Sequence, residues 1–157
     1  MKFRIGFGFD VHPLIENRHF FLGGIKIPHT KGASGHSDAD ALIHSVCDAL
    51  LGAANLGDIG THFPDSSVEY KNIDSKILLK AVAEMLKNKG YSIGNIDVTV
   101  CLQKPKISSY IPEIKKTLSS VMLIPEADIS IKATTTEKLG FTGREEGIAV
   151  YSVALIS

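Results

Sequence analysis

Tryptophan is absent from this chain of 157 residues, and cysteine occurs only twice. Four tyrosines and seven phenylalanines complete the aromatic set, too few for a platform on which nucleic-acid bases stack. Neither sign of charge is in excess: Lys and Arg number 17, and so do Asp and Glu. A net charge of zero excludes a broadly basic surface for nucleic acid or for an anionic membrane. Long apolar runs are lacking too. The least polar stretch, residues 41–57, is interrupted by His44 and Asp48 and is too short to span a bilayer. The opening segment MKFRIGFGFDVH has no apolar signal core. Cys47 and Cys101 make no CxxC motif and no disulfide framework, so they read as buried free thiols in a reducing compartment. A cytoplasmic location, with no nucleic-acid and no membrane partner, is the resulting expectation.

What is present is ordinary globular composition, 44% apolar and 22% charged. A domain of this size buries roughly 70% of the surface its unfolded chain exposes, so one core over residues 1–157 suffices. No repeat, low-complexity tract or linker divides it. Residues 2–12 read as a strand, because Phe3, Ile5, Phe7, Phe9 and Val11 alternate with Arg4, Gly6, Gly8 and Asp10. Residues 20–27 read as two strand pieces around Gly23 and Gly24. Residues 38–55 carry Leu42, Val46, Leu50 and Ala53 at helical spacing, with Ser37 and Asp40 as a capping box. Residues 74–89 predict a second helix with Ile77, Leu78, Ala81, Val82 and Met85 on its apolar face, stopped by Gly90. A β-branched strand over 93–103, a helix over 108–121 and strands over 128–133 and 148–156 follow. The fold class is α/β (α+β): a single small domain with a roughly four-stranded mixed sheet and helices on one face.

Three segments concentrate reactive side chains. Asp10 and His12 are two apart on a strand and face one side. Asp40 and His44 are four apart on a helix. Asp10, His12 and His44 could together form a two-imidazole, one-carboxylate shell with an open position, as in catalytic zinc sites. On pattern alone, an Asp-x-His pair on a strand is more often a structural hydrogen-bonded pair. The stretch 132–144, KATTTEKLGFTGR, offers threonine hydroxyls to phosphate oxygens and Glu137 to a hard divalent ion. Thr134 and Glu137 would alternatively cap a short helix. Gly57–Asp65 and Leu102–Ser108 read as turns that could also wall a binding site.

Taken together, RIGFGFDVH (4–12), GHSDADALIH (35–44), LGAANLGDIGTHFPD (51–65), GYSIGNIDVTV (90–100), KPKI (104–107) and IKATTTEKLGFTGREEGIA (131–149) resemble the 2-C-methyl-D-erythritol 2,4-cyclodiphosphate synthases of non-mevalonate isoprenoid synthesis. The resemblance runs the length of the chain. It implies a lyase acting on 4-diphosphocytidyl-2-C-methyl-D-erythritol 2-phosphate. The 2-phosphate attacks the β-phosphorus, CMP leaves and a cyclic diphosphate forms. The resemblance implies Zn²⁺ on Asp10, His12 and His44, and a second ion, Mg²⁺ or Mn²⁺, on the substrate phosphates and Glu137. His36 and Thr135 would stabilise the transition state. Asp10, His12, His36 and Ser37 would meet the substrate near the metal, and Asp58, Ile59 and Gly60 would bind the methylerythritol hydroxyls. Phe63, Pro64, Asp65, Ser66 and Ser67 would close over it. Leu102, Gln103, Lys104, Pro105, Lys106, Ile107 and Ser108 would form the cytidine pocket beside Ala133, Thr134, Thr135 and Thr136. Phe141 and Arg144 would face the central cavity of a homotrimer, which could hold an isoprenoid diphosphate or another anion. The active sites would lie between subunits.

Two departures from the family pattern stand out. Ala39 replaces a glycine of the HSDGD form and is expected only to stiffen the helix start. Ser66-Ser67 replaces the usual Thr-Asp. Two other functions compete: a trimeric zinc or diphosphate-binding module without turnover, and a zinc hydrolase with Asp38 or Asp40 as base.

Overall fold

The computed structural model describes residues 2–64 and 66–157. Seven strands form in chain order: β1 (Arg4–Glu16), β2 (Phe20–Leu22), β3 (Ile25–Ile27), β4 (Lys31–Ala33), β5 (Ile93–Cys101), β6 (Ile129–Thr134) and β7 (Gly147–Ile156). Five of them make one mixed sheet in the order β4-β1-β7-β5-β6, and β2 with β3 makes a separate hairpin. Only β5 and β6 run parallel. The sheet therefore has five strands where four are expected. The extra edge strand, β4, is three residues long and pairs with Leu14–Glu16, too short to show an alternating pattern.

The helices are α1 (Ala41–Ala53), α2 (Ile59–His62), α3 (Ser75–Asn88), α4 (Ile111–Met122) and α5 (Gly140–Gly143). α1 lies across β1 and β7, α3 packs on α1 and α4, and α4 reaches β6. The core between this layer and the sheet is built from Leu42, Val46, Leu50, Leu79, Ile96, Val98, Val100, Ile114 and Val150, all fully buried. Among the described residues no helix is long and apolar enough to cross a membrane. Cys47 is buried, and burial pushes its thiol well up, whereas Cys101 is only half-buried.

The contact between α1 and β1 is unusually close, and glycine permits it. A Cβ on Gly6 would lie 1.8 Å from the Ala49 carbonyl oxygen, and one on Gly8 would lie 1.8 Å from that of Ser45. Helix backbone thus rests directly on strand backbone. Ser45 Oγ adds a 2.6 Å hydrogen bond to Ser152 Oγ of β7 in the same layer. The bulky row of β1 points the other way. Phe3, Ile5, Phe7, Phe9 and Val11 cover the open face of the sheet, with Ile5 73% and Phe7 63% exposed.

Several local expectations change. α1 starts at Ala41 and is capped by Asp40, not by Ser37. The buried Asp40 carboxylate accepts from the backbone N–H of Ile43 at 3.0 Å, Gly23 at 2.9 Å and Gly24 at 2.7 Å. It thereby ties the β2–β3 turn to the helix. Ala39 precedes the helix with φ +57°, so it does not stiffen the helix start. It occupies a left-handed position that a glycine would adopt without cost. α3 starts at Ser75, with Asp74 as its cap rather than its first residue, and its buried face is Leu78, Leu79, Val82 and Leu86, with Ile77 exposed. Residues 108–110 form a tight 3₁₀ turn ahead of α4, and Pro112 falls in the first turn of α4. Thr134 ends β6, and Glu137 follows in a left-handed turn, so the pair caps no helix.

Gly8→Ala should push α1 off the sheet. Overpacking of this kind costs about 1–3 kcal/mol. In a chain of this length Tm falls roughly 2–4 °C for each kcal/mol. Thermal unfolding of the variant checks this, and an unchanged Tm would contradict the close packing.

Candidate metal centre and active site

With α1 flush on β1, the His44 ring reaches the two polar residues on the helix-facing row of the strand. Asp10 Oδ2 lies 2.9 Å from His12 Nε2 and 3.3 Å from His44 Nδ1. The two ring nitrogens are 3.3 Å apart. Four-coordinate zinc with bonds of about 2.0–2.1 Å sets neighbouring donors about 3.3 Å apart, so the triangle matches a metal shell. The Asp10 Oδ2 atom is buried and has no hydrogen bond of good geometry despite these short contacts. His12 Nδ1 lies 3.1 Å from the Ser34 carbonyl. A carbonyl only accepts, so Nδ1 carries the proton and Nε2 turns its lone pair inward. Electron-rich atoms converge on one point, which is the arrangement a divalent cation satisfies. These three residues form the one cluster of metal-donor type among the described residues.

Charge follows this geometry. Burial alone would raise the Asp10 carboxyl, but contacts with His12 and His44 hold it below the usual carboxylate range. Burial alone would lower His44, but the Asp10 carboxylate outweighs it, and Asp40 and Asp38 add to the net upward shift.

The triangle opens into a cavity of about 370 Å³ bordered by His36, Ser37, Ile59, Gly60, Phe63 and Tyr70 as well as the three donors. Asp58 caps α2 through Thr61, and both Thr61 contacts hold its exposed carboxyl below the usual range. Asp48, a turn after His44 on α1, accepts from the Ile59 N–H at 2.7 Å and holds this wall in place. Asp48 is not among the residues expected at the site, although its i+4 spacing from His44 is a visible signal. His36 Nε2 donates to the Ser67 carbonyl at 3.1 Å, and Phe63 packs edge-on against Tyr70. Pro64 and Ser66 are exposed beside them. Asp65 lies outside the described residues.

A second group assembles across the sheet. Leu102 N donates to the Thr134 carbonyl, and Lys138 N donates to Gln103 Oε1. Residues 102–108 and 133–138 are therefore neighbours. Ala133, Thr134, Thr135 and Glu137 are exposed, and Thr135 Oγ1 donates to Glu137 Oε1 at 3.1 Å. Glu137 and Lys138 both hold positive φ, backbone strain of the sort found at functional turns. Lys104, Lys106 and Ser108 are exposed, while Leu102 and Ile107 are buried. This group does not meet the metal triangle within one chain. Register runs from Val11 to Ala149, then Cys101, then Thr134. That is three strand spacings, roughly 14 Å. Arg144 pairs with Glu146 at 3.0 Å on the surface beside exposed Phe141.

Neither Asp38 nor Asp40 lines the cavity. Asp40 is sequestered as the α1 cap, and burial, with Asp38 adding, pushes its carboxyl up. Asp38 is engaged by Ser75. The base required by a hydrolase is therefore missing from those positions. A larger groove, about 1480 Å³, runs between α3 and α4 but contains none of the metal donors.

Comparison with known proteins agrees along the whole chain. The model of the YgbB family matches residues 3–157. A 2-C-methyl-D-erythritol 2,4-cyclodiphosphate synthase of Bacteroides thetaiotaomicron is 64% identical over 99% of this chain and 98% of its own. The bifunctional IspDF of Campylobacter jejuni superposes with TM-score 0.95 at 43% identity, covering 99% of this chain and 42% of that longer one. An IspF of Plasmodium falciparum, solved as a CDP complex, gives TM-score 0.86 at 38% identity over 98% of this chain and 95% of its own.

Metal and protons compete for the triangle. Because His44 holds its proton above the 6.5 of an ordinary imidazole, metal affinity is expected to fall as pH drops through that raised value. Metal titrations between pH 8 and 6 should show proton release on binding. An affinity independent of pH over this range would contradict the donor assignment.

Proposed function

The chain belongs to the YgbB family, and on that premise we propose how its residues divide the work of a 2-C-methyl-D-erythritol 2,4-cyclodiphosphate synthase. The activity is that of its curated relatives, a lyase reaction. Those relatives weigh against the non-turnover binding module. The convergence of Asp10, His12 and His44 is the observation that carries the site assignment.

In this reading Zn²⁺ is held by Asp10 Oδ2, His12 Nε2 and His44 Nδ1, and when bound it supplies Lewis acidity to a phosphoryl oxygen. A second ion, Mg²⁺ or Mn²⁺, would sit with the substrate diphosphate and the Glu137 carboxylate. The substrate 2-phosphate oxygen forms a bond to the β-phosphorus, and the bond from that phosphorus to the α–β bridging oxygen breaks. CMP leaves with the electron pair. A phosphate oxygen is already an anion, so no strong general base is needed. The protein's task is to fold a flexible, highly charged chain into a ring-closing pose. His36 gives up the Ser67 carbonyl and donates to the 2-phosphate, and Thr135 Oγ1 turns from Glu137 to the diphosphate. Ser37 meets the same phosphate region. Asp58, Ile59 and Gly60 hold the methylerythritol hydroxyls, and 63–67 close over them.

Residues 102–108 with 133–136 bind the cytidine, a role supported by the CDP-bound IspF. The separation of the two groups within one chain supports a homotrimer in which one subunit supplies the metal half and its neighbour the cytidine half. The apolar open face of β1 and β7 would be its buried centre. Phe141 and Arg144 would border a central cavity suited to an isoprenoid diphosphate or another anion. Residues 1–157 would act as one catalytic domain in a bacterial cytoplasm.

Phosphorus NMR of purified protein with the diphosphocytidyl substrate, Zn²⁺ and Mg²⁺ tests this. Equal release of CMP and cyclic diphosphate, abolished by chelator, is expected. A linear product would point to hydrolysis, and no turnover with metal bound would restore the binding module. Phe9→Asp should give monomers by sedimentation that still bind metal but release no CMP. An intact trimer would contradict the buried-face assignment.

A further inference from the structure

His44 differs from His12 in what stands behind its ring. His12 is backed by a backbone carbonyl, which can only accept. His44 Nε2 is backed by hydroxyls, Ser75 Oγ at 2.9 Å and Ser37 Oγ at 3.1 Å. A hydroxyl can donate or accept, so by itself it leaves open which imidazole nitrogen carries the proton. If Ser75 donated to Nε2, the proton would be displaced to Nδ1, against Asp10 and in the place of the metal.

The surroundings of Ser75 remove that choice. Ser75 is fully buried at the start of α3. Its hydroxyl donates to Asp38 Oδ1, and its backbone N–H donates to Asp38 Oδ2 at 2.9 Å. Asp38 Oδ1 also accepts from the Asp40 N–H at 3.2 Å, and the Asp38 N–H is anchored on the Ile73 carbonyl at 3.1 Å. An ionised carboxylate only accepts, so the single hydroxyl hydrogen of Ser75 is committed to it. Toward His44, Ser75 has only lone pairs left. We propose that Asp38 and Ser75 are a positioning pair that fixes the His44 ring with its proton on Nε2 and its Nδ1 lone pair aimed at the metal position.

This inference rests on the metal reading above and extends it to residues outside the ligand shell. It also gives α3 a part in the chemistry, since the first residue of that helix orients a ligand on α1. Ser37, freed from donating to Nε2, can turn its hydroxyl hydrogen into the cavity. Partners of this kind typically contribute 10–100-fold to metal affinity. Residues acting through one another lose their effects non-additively.

The test is zinc affinity by chelator competition for wild type, Ser75→Ala, Asp38→Asn and the double variant, each with its native circular dichroism. Ser75→Ala should bind zinc about 10–100-fold more weakly. Asp38→Asn, which places one donor against the Ser75 N–H or hydroxyl, should lose a comparable factor. The double variant should lose little more than the worse single one. Unchanged affinity in Ser75→Ala, or losses that multiply in the double variant, would overturn the proposal. Weak, non-stoichiometric zinc in the wild type would instead overturn the metal reading itself. Should a variant fail to fold, long-range ¹H–¹⁵N NMR of the metal-free wild type, with the His44 ring neutral, decides the point. The His44 proton should be on Nε2, and a proton on Nδ1 would refute the assignment.

Discussion

The metal centre depends on the distance between the axis of α1 and the backbone of β1. His44 belongs to the helix, while Asp10 and His12 belong to the strand. Their donor atoms meet within 3.3 Å because the helix lies on Gly6 and Gly8 with no side chain between. A Cβ on either glycine would strike the α1 backbone and force it, with His44, away from Asp10 and His12. The glycines therefore serve the chemistry indirectly: they let two elements approach until three side chains form one triangle. Asp40 supports the same junction from the other side by tying the helix start to the Gly23–Gly24 turn.

That packing also decides what the other face of β1 must be. Glycine and polar residues occupy the helix-facing row, so the apolar row is left on the open side. A single chain exposes there a continuous band of Phe3, Ile5, Phe7, Phe9 and Val11 with Tyr151 and Val153 of β7. Exposed bands of this kind are sites of association. The sheet that carries Asp10 and His12 on β1 carries the 102–108 and 133–138 group at β5 and β6, three strand spacings away. One constraint, the inversion of the usual inside and outside of β1, thus links the donor triangle to the apolar face.

Much of this was legible in the sequence. The period-two pattern of β1, the glycine pair of the β2–β3 hairpin, the stop of α3 before Gly90 and the β-branched run of β5 all carry local signals strong enough to survive folding. The metal donors were visible as residue types and spacings, and the resemblance singled them out from other readings. What was hidden was tertiary. Strand β4 is three residues long and owes its existence to β1. The start of α1 moved because Asp40 is bound on two sides, by its own helix and by a hairpin remote in sequence. Ser37 and Thr134 had the composition of caps without the geometry. Asp38 and Ser75 acquire meaning only once α1 and α3 are brought together, which no periodicity encodes. Glu137 sits in a left-handed turn that favours glycine or asparagine, so local propensity argued against its place.

The most direct measurement is an anomalous difference map collected at the zinc absorption edge from crystals grown with zinc. One peak per chain is expected, bonded to Asp10 Oδ2, His12 Nε2 and His44 Nδ1 at about 2.0–2.2 Å, with at least one position open to the cavity. A peak elsewhere, or a triangle that stays empty while crystals hold zinc at other sites, would contradict the assembly of a metal centre at the junction of α1 and β1.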